Sequence, residues 1–203
     1  MKTLVRLAAA SAFLTVGLAI AETPAPSVAA TPAAKVPVNP NVEEAKGIVK
    51  AFATQLQGEL KAAIEEGGPV KAIGVCKERA PAIAAELSDK TGWQVKRTSL
   101  KTRNAELDTP DAWEQQVLTA FEQRKAAGED VQTMAKAEVV ETETGKAFRF
   151  MKAIPTGEVC LACHGSEINP KVAAALDEHY PNDQARGYRQ GDIRGAFSLI
   201  KPL

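Results

Sequence analysis

The chain has 203 residues, and 25 Lys+Arg balance 25 Asp+Glu, so its formal charge is zero. That balance argues against a nucleic-acid or anionic-membrane partner, which would show as a basic excess. With 45% hydrophobic and 25% charged residues the composition is that of a globular domain, yet 12 prolines and only 5% aromatics leave part of the length outside any core.

Lys2 and Arg6 precede an uncharged apolar run from Leu7 to Ile20, and Ala19 and Ala21 supply the small residues of a signal-peptidase site. The run is shorter than the ~20 residues a membrane span needs. Residues 1–21 are therefore read as a cleaved signal peptide, and the mature protein as periplasmic with no integral membrane span. Residues 22–40 hold five of the twelve prolines. Such a segment cannot bury enough surface to offset its ordering entropy, so a disordered Ala/Pro-rich tether is expected there. One domain, 41–203, follows it.

From Asn41 the residues Val42, Ala45, Ile48, Val49, Phe52, Leu56, Leu60 and Ile64 recur at helical steps, and Gly67-Gly68-Pro69 marks the end of that helix. A shorter helical piece over Val70–Cys76 leads to another over Pro81–Asp89, closed at Thr91-Gly92. Alternation across Trp93–Arg97 predicts a strand. Thr109-Pro110 is expected to be the N-cap and first-turn proline of a helix to about Ala127, with Trp113, Val117 and Phe121 on one face. Strands follow over 136–142 and 147–154, with Phe148, Phe150 and Ile154 on one side and Met151 on the other. A helix over Pro170–His179 and a strand over Arg194–Lys201 complete the chain. Helices set before and between hairpin-connected strands predict an α+β fold with an antiparallel sheet flanked by helices.

Cys160-Leu161-Ala162-Cys163-His164 is a C-x-x-C-H, the attachment signature of c-type haem. Two thiols three residues apart reach the vinyl groups on one edge of a porphyrin, and the next residue, His164, is placed as proximal iron ligand. The cofactor expected is one covalently bound haem c. A thioredoxin-like C-x-x-C would need a βαβ unit, and none is predicted. A zinc site would need four ligands, with only Cys76 and His179 left to complete one.

For the second axial position the candidate side chains are Cys76, His179, Met134 and Met151. Either methionine is equally at home as core packing. His179 closes a helix, where the dipole alone explains a histidine. Cys76 is the odd cysteine of a chain expected to be exported; Lys77 and Arg79 beside it favour a thiolate, whereas a free cysteine is often just a small buried core residue. Arg97 shares a strand face with Trp93, Val95 and Ser99. A charge aimed at the core needs an anion, which a haem propionate supplies, whereas an Arg at the sheet's edge would reach solvent along its stem. Arg103 and Arg194 are weaker candidates for the same contact.

Several segments in order carry a more specific signal: Ala72–Cys76, Arg97–Asn104, Pro110–Glu114, the C-x-x-C-H, Gly187-Tyr188 and Gly191–Ala196. Together they resemble a family of small bacterial c-type haem proteins with a PAS-like fold, which occurs as exported single domains and as the sensor part of signalling proteins. The stretch Ala105–Thr109 departs from that family's pattern. The resemblance implies iron ligation by the motif histidine and an upstream cysteine, here His164 and Cys76.

Ligands on both sides of the iron leave no position for a substrate, so the expectation is a carrier or sensor rather than an enzyme. A thiolate ligand offsets the charge of the ferric site and favours a low reduction potential. Two functions follow: exported one-electron transfer, or a redox or gas (NO/CO) sensor in which Cys76 is displaced. The redox or signalling partner is not identified by the sequence.

Overall fold

A computed structural model describes residues 39–203. The expected signal peptide, and all of the expected tether but its last two residues, lie outside the described part. Those two residues are not tether but helix start. The Asn39 side chain accepts from Asn41 N at 3.0 Å as N-cap, and Pro40 opens helix α1, Pro40–Gly74.

Helix α1 is broken where the glycines predict it. Gly67 and Gly68 leave helical geometry, Gly68 at φ +73, and Pro69 restarts the turn. Beyond it the expected gap between two helical pieces is bridged by a π-helical turn, Val75–Arg79, which runs directly into α2, Ala80–Thr91. Gly92 ends α2 in the left-handed conformation, its N–H donating to Ser88 O.

Four strands form one antiparallel sheet in the order β1-β4-β3-β2: β1 Gln94–Thr98, β2 Ala135–Thr142, β3 Gly145–Pro155 and β4 Ile193–Pro202. The predicted α+β architecture is the observed one. Period-two alternation sorts the residues of β3 and β4 between the two faces. Phe148 and Phe150, with Phe197 and Leu199, pack under Ala45, Ile48 and Phe52 of α1 and Ile83 of α2. On the other face Met151 and Ala153 meet Val117, Leu118 and Phe121 of helix α4, Ala112–Ala126.

The start of α4 corrects the expected cap. Asp111, not Thr109, is the N-cap: its carboxylate accepts from Glu114 N at 2.8 Å, and Asp111 N donates to Glu114 Oε2 at 2.9 Å. That reciprocal pair outcompetes a threonine cap. Thr109 bonds back to Ala105 O, at the end of a one-turn helix α3, Ala105–Asp108. A one-turn helix α5, Leu161–His164, and helix α6, Pro170–His179, precede β4, the latter with the predicted bounds. Among the described residues no helix is long and apolar enough to cross a membrane.

Candidate functional site

The C-x-x-C-H folds as a single helical turn. Cys160 ends a 3-10 turn, Glu158–Cys160, and precedes α5, so Cys160, Cys163 and His164 project from one short coil behind β3. Gly165 closes it because nothing larger fits: a Cβ there would stand 2.7 Å from Leu161 O. A short parallel bridge then pins the turn to the far end of the chain. Gly187 N donates to Gly165 O, and Tyr188 N to His164 O, each at 2.9 Å.

These residues open onto a cavity of about 380 Å³. Cys76, Cys160, Cys163 and His164 all line it. The stripe Val49, Leu56, Leu60 and Ile64 of α1 forms much of its apolar wall, with Ile73, Leu176, Ile154 and Phe197. The single apolar face read from α1 thus divides: Ala45, Ile48 and Phe52 serve the sheet, and the rest face the cavity. Cys76 reaches the cavity from the π-helical turn, where the extra residue rotates the side chains that follow.

His164 is held in a definite tautomer. Its Nδ1 lies 2.7 Å from Ala185 O. Arg194 Nε, a donor only, stands 3.2 Å from Nδ1 and 3.4 Å from Nε2, but the carbonyl is the nearer partner and only accepts, so Nδ1 carries the proton and Nε2 keeps its lone pair. Burial, then the nearby Arg194 and Arg103 guanidiniums, hold the imidazole well below its ordinary pKa, so the ring is neutral. Tyr188 stands edge-on to it, ring centroids 6.2 Å apart. Burial raises the Cys163 thiol, and burial followed by the Cys76 sulfur pushes the Tyr180 phenol up to about 12.

Of the other candidates for the second axial position, none lies here. Met134 and Met151 are fully buried in the cluster under α4, on the opposite face of the sheet. His179, the alternative to Cys76, is exposed at the end of α6 and does not line the cavity. Arg79, read as a cation beside Cys76, is engaged by Glu59 at 2.7 Å. No three His, Cys, Asp or Glu among the described residues stand together as a metal-ion cluster. The sheet is wholly antiparallel, so the βαβ setting of a thioredoxin motif is lacking too.

Arg97 reaches the cavity half-buried, its guanidinium 5.9 Å from the Phe52 ring centroid. Arg103 is spoken for: its Nε donates to Asp183 at 3.1 Å, and its Nη2 to the carbonyls of Cys163 and Ala185. Sequence reasoning did not find the Ala185 carbonyl, the π turn or the weight of Arg194. The first and last arise from segments 21 and 30 residues from His164, and a main-chain carbonyl has no signature in the sequence.

A family model described as Tll0287-like matches residues 27–202. A solved structure described as that of the cyanobacterial heme-protein Tll0287 shares the fold, with a TM-score of 0.63 at 24% identity over 81% of this chain and 97% of that chain. No curated protein matches. Because the family model spans every helix and strand described above, the chain belongs to the Tll0287-like family.

Proposed function

We propose that the chain is an exported mono-haem c-type cytochrome that carries one electron. The observation that bears most weight is the His164 tautomer: an Nε2 lone pair, fixed by Ala185 O, in the cavity that Cys76, Cys160 and Cys163 also line. The likeness in fold to a cyanobacterial heme-protein supports the same cofactor. The cavity residues fit such a group in chemistry as well as in size, since sites for compact organic ligands run from roughly 300 to 1,000 Å³. When bound, a haem supplies a one-electron couple at its iron.

In this reading the Cys160 and Cys163 thiols hold the porphyrin covalently and His164 Nε2 is the proximal donor. Cys76 is the second donor, being the remaining thiol in the cavity. Leu56, Leu60, Ile64 and Leu176 line the cavity and would exclude water from a bound haem, which would favour electron exchange without ligand chemistry. With His164 and Cys76 both donating to the metal, no position would remain for a substrate, which favours a carrier over an enzyme. The leader-like residues 1–21 support a periplasmic location, where haem attachment of this kind takes place.

A second reading is a redox or NO/CO sensor in which Cys76 leaves the iron. It is favoured by the placement of Cys76 on a π-helical turn, a local irregularity often found at functional positions. The Cys160→Ala/Cys163→Ala double variant is expected to lose covalent haem on a haem-stained denaturing gel; a persisting band would overturn the cytochrome reading. Cys76→Ala is expected to keep that band, change the ferric spectrum and raise the reduction potential. A Cys76→Ala spectrum and potential identical to wild type would remove Cys76 as a ligand. Carbon monoxide binding by the reduced wild type, with loss of the thiolate band, would select the sensor, and inertness the carrier.

A further inference from the structure

Next to the main cavity lies a smaller polar recess of about 40 Å³, shared by Cys76, His164, Arg97, Arg103 and Arg194 with Asn104 at its rim. Three guanidiniums converge there, and they differ in what balances them. Arg103 is paired with Asp183. Arg97 and Arg194 have no carboxylate within 4.0 Å among the described residues, although Asp108 also lines the recess. Arg97 rests on the Phe52 ring, and Arg194 Nη1 donates to Ser99 Oγ at 3.2 Å beneath Tyr188, whose ring centroid is 5.6 Å away. Neutral contacts fix both groups in place without meeting their charge, and a partly buried cation of that kind calls for an anion.

Arg194 adds a second argument. Its Nε lies 3.2 Å from His164 Nδ1 and 3.4 Å from Nε2, and with the Nδ1 proton given to Ala185 O only Nε2 can accept. A metal ion on Nε2 would take that lone pair and leave the Arg194 N–H without its acceptor. A ligand that brings carboxylates along with the metal replaces what it removes.

We propose that Arg194 and Arg97 form the carboxylate-binding end of this cavity and hold the two propionates of the haem whose opposite edge Cys160 and Cys163 tether. The inference rests on the haem reading above. It sorts three arginines that sequence leaves equivalent: Arg103 braces the C-x-x-C-H turn through Cys163 O, while Arg97 and Arg194 face the ligand. Arg194 thereby links the proximal histidine to a propionate, which makes it a positioning residue for the cofactor.

The test uses full-length protein matured with haem, as wild type, Arg97→Gln, Arg194→Gln and Arg194→Lys, with Lys146→Gln as a surface control. Lys146 is exposed in the β2–β3 hairpin, lies 3.5 Å from Glu141 and does not line either cavity. Haem-stained denaturing gels come first: wild type without covalent haem would overturn the haem reading and this proposal with it. Where haem is attached, resonance Raman bands of the propionate groups and potentiometric titrations give the answer. Arg97→Gln and Arg194→Gln are each expected to shift those bands. Each should also lower the reduced-to-oxidised ratio at a fixed potential about tenfold, as expected for losing one charge-assisted hydrogen bond. Arg194→Lys keeps the charge but not the forked donors, so an intermediate shift is expected, and it serves should Arg194→Gln not fold. Lys146→Gln should match wild type. Wild-type bands and ratio in Arg97→Gln and in the Arg194 variants, with haem still attached, would overturn the proposal and leave the haem reading standing.

Discussion

Gly195 shows how one missing side chain sets the site. It lies in β4 at φ +155, and a Cβ placed on it would stand 2.3 Å from Thr98 O and 3.1 Å from Ser99 Cβ. The adjacent residue is Arg194, whose carbonyl accepts from Ser99 Oγ at 2.9 Å. Contact this close between β4 and the end of β1 is what delivers Arg194 and Arg97 to the same recess. Gly195→Ala must push the two strands apart as well as adopt a strained φ, so a loss of at least about 2 kcal/mol is expected. Chemical denaturation would measure it. An alanine variant of wild-type stability would mean that the strand contact is not tight. His164 makes the complementary point: its identity was legible from the motif, but its tautomer depends on Ala185, a residue whose type carries no information about its carbonyl.

At the scale of elements, the first turn of α4 is tied to the sheet by an ion network that adjoins the apolar cluster of Val117, Leu118 and Phe121. Arg149 of β3 donates from Nη2 to Asp111 Oδ2 at 2.7 Å and lies 4.3 Å from the Trp113 ring centroid, while Glu114, fully buried, takes Lys96 at 3.0 Å. Burial opposes the charged form of Asp111, but the Arg149 hydrogen bond and the Glu114 N–H outweigh it, and its carboxyl sits below the ordinary value. A depressed carboxyl stabilises the fold above its unfolded pKa, and that contribution is lost as pH falls through the folded value. Asp111→Ala should therefore cost about 1–2 kcal/mol at neutral pH, the scale of a lost N-cap, and the difference from wild type should shrink below about pH 4. Denaturant melts at neutral and acid pH check both; a gap that widened on acidification would contradict the sign. The same junction measures what was readable. Asp111 and Glu114 stand at capping-box spacing in the sequence, yet Thr109-Pro110 offered a competing local start; the reciprocal Asp111–Glu114 bonds, reinforced by Arg149 from β3, decide between them. Boundaries set by local chemistry alone were legible: α6 from Pro170 to His179 as read, and the stop of α2 at Gly92, though α2 itself runs Ala80–Thr91 rather than Pro81–Asp89. The π turn at Cys76 was not, because the periodicity before and after it is helical in the same way.

For the whole molecule, the two faces of the sheet depend on the cavity to different degrees. The cluster under α4, with Phe121, Met134, Met151 and Ile193, is closed by protein alone. On the other side Leu56, Leu60 and Ile64 are only half-buried, and the small cluster of Ile73, Val172, Leu176 and Tyr180 is continuous with Cys163 and the cavity wall. If a haem fills that space, its apolar surface is part of the core there, and a ligand that binds only the folded state adds to stability. The haem-free Cys160→Ala/Cys163→Ala chain should then lose stability unevenly. Its melting temperature is expected to fall by about 10 °C or more, which for a domain of this size corresponds to several kcal/mol. Amide exchange should locate the loss in α6, the π turn and the second half of α1, while β3, β4 and α4 keep their protection, since local opening follows the density of buried contacts. Uniform loss of protection would mean that the two faces fold as one unit. Unchanged protection around Cys76 and Leu176 would mean that the cavity is closed by the chain alone, and that the haem contributes chemistry to this protein but no structure.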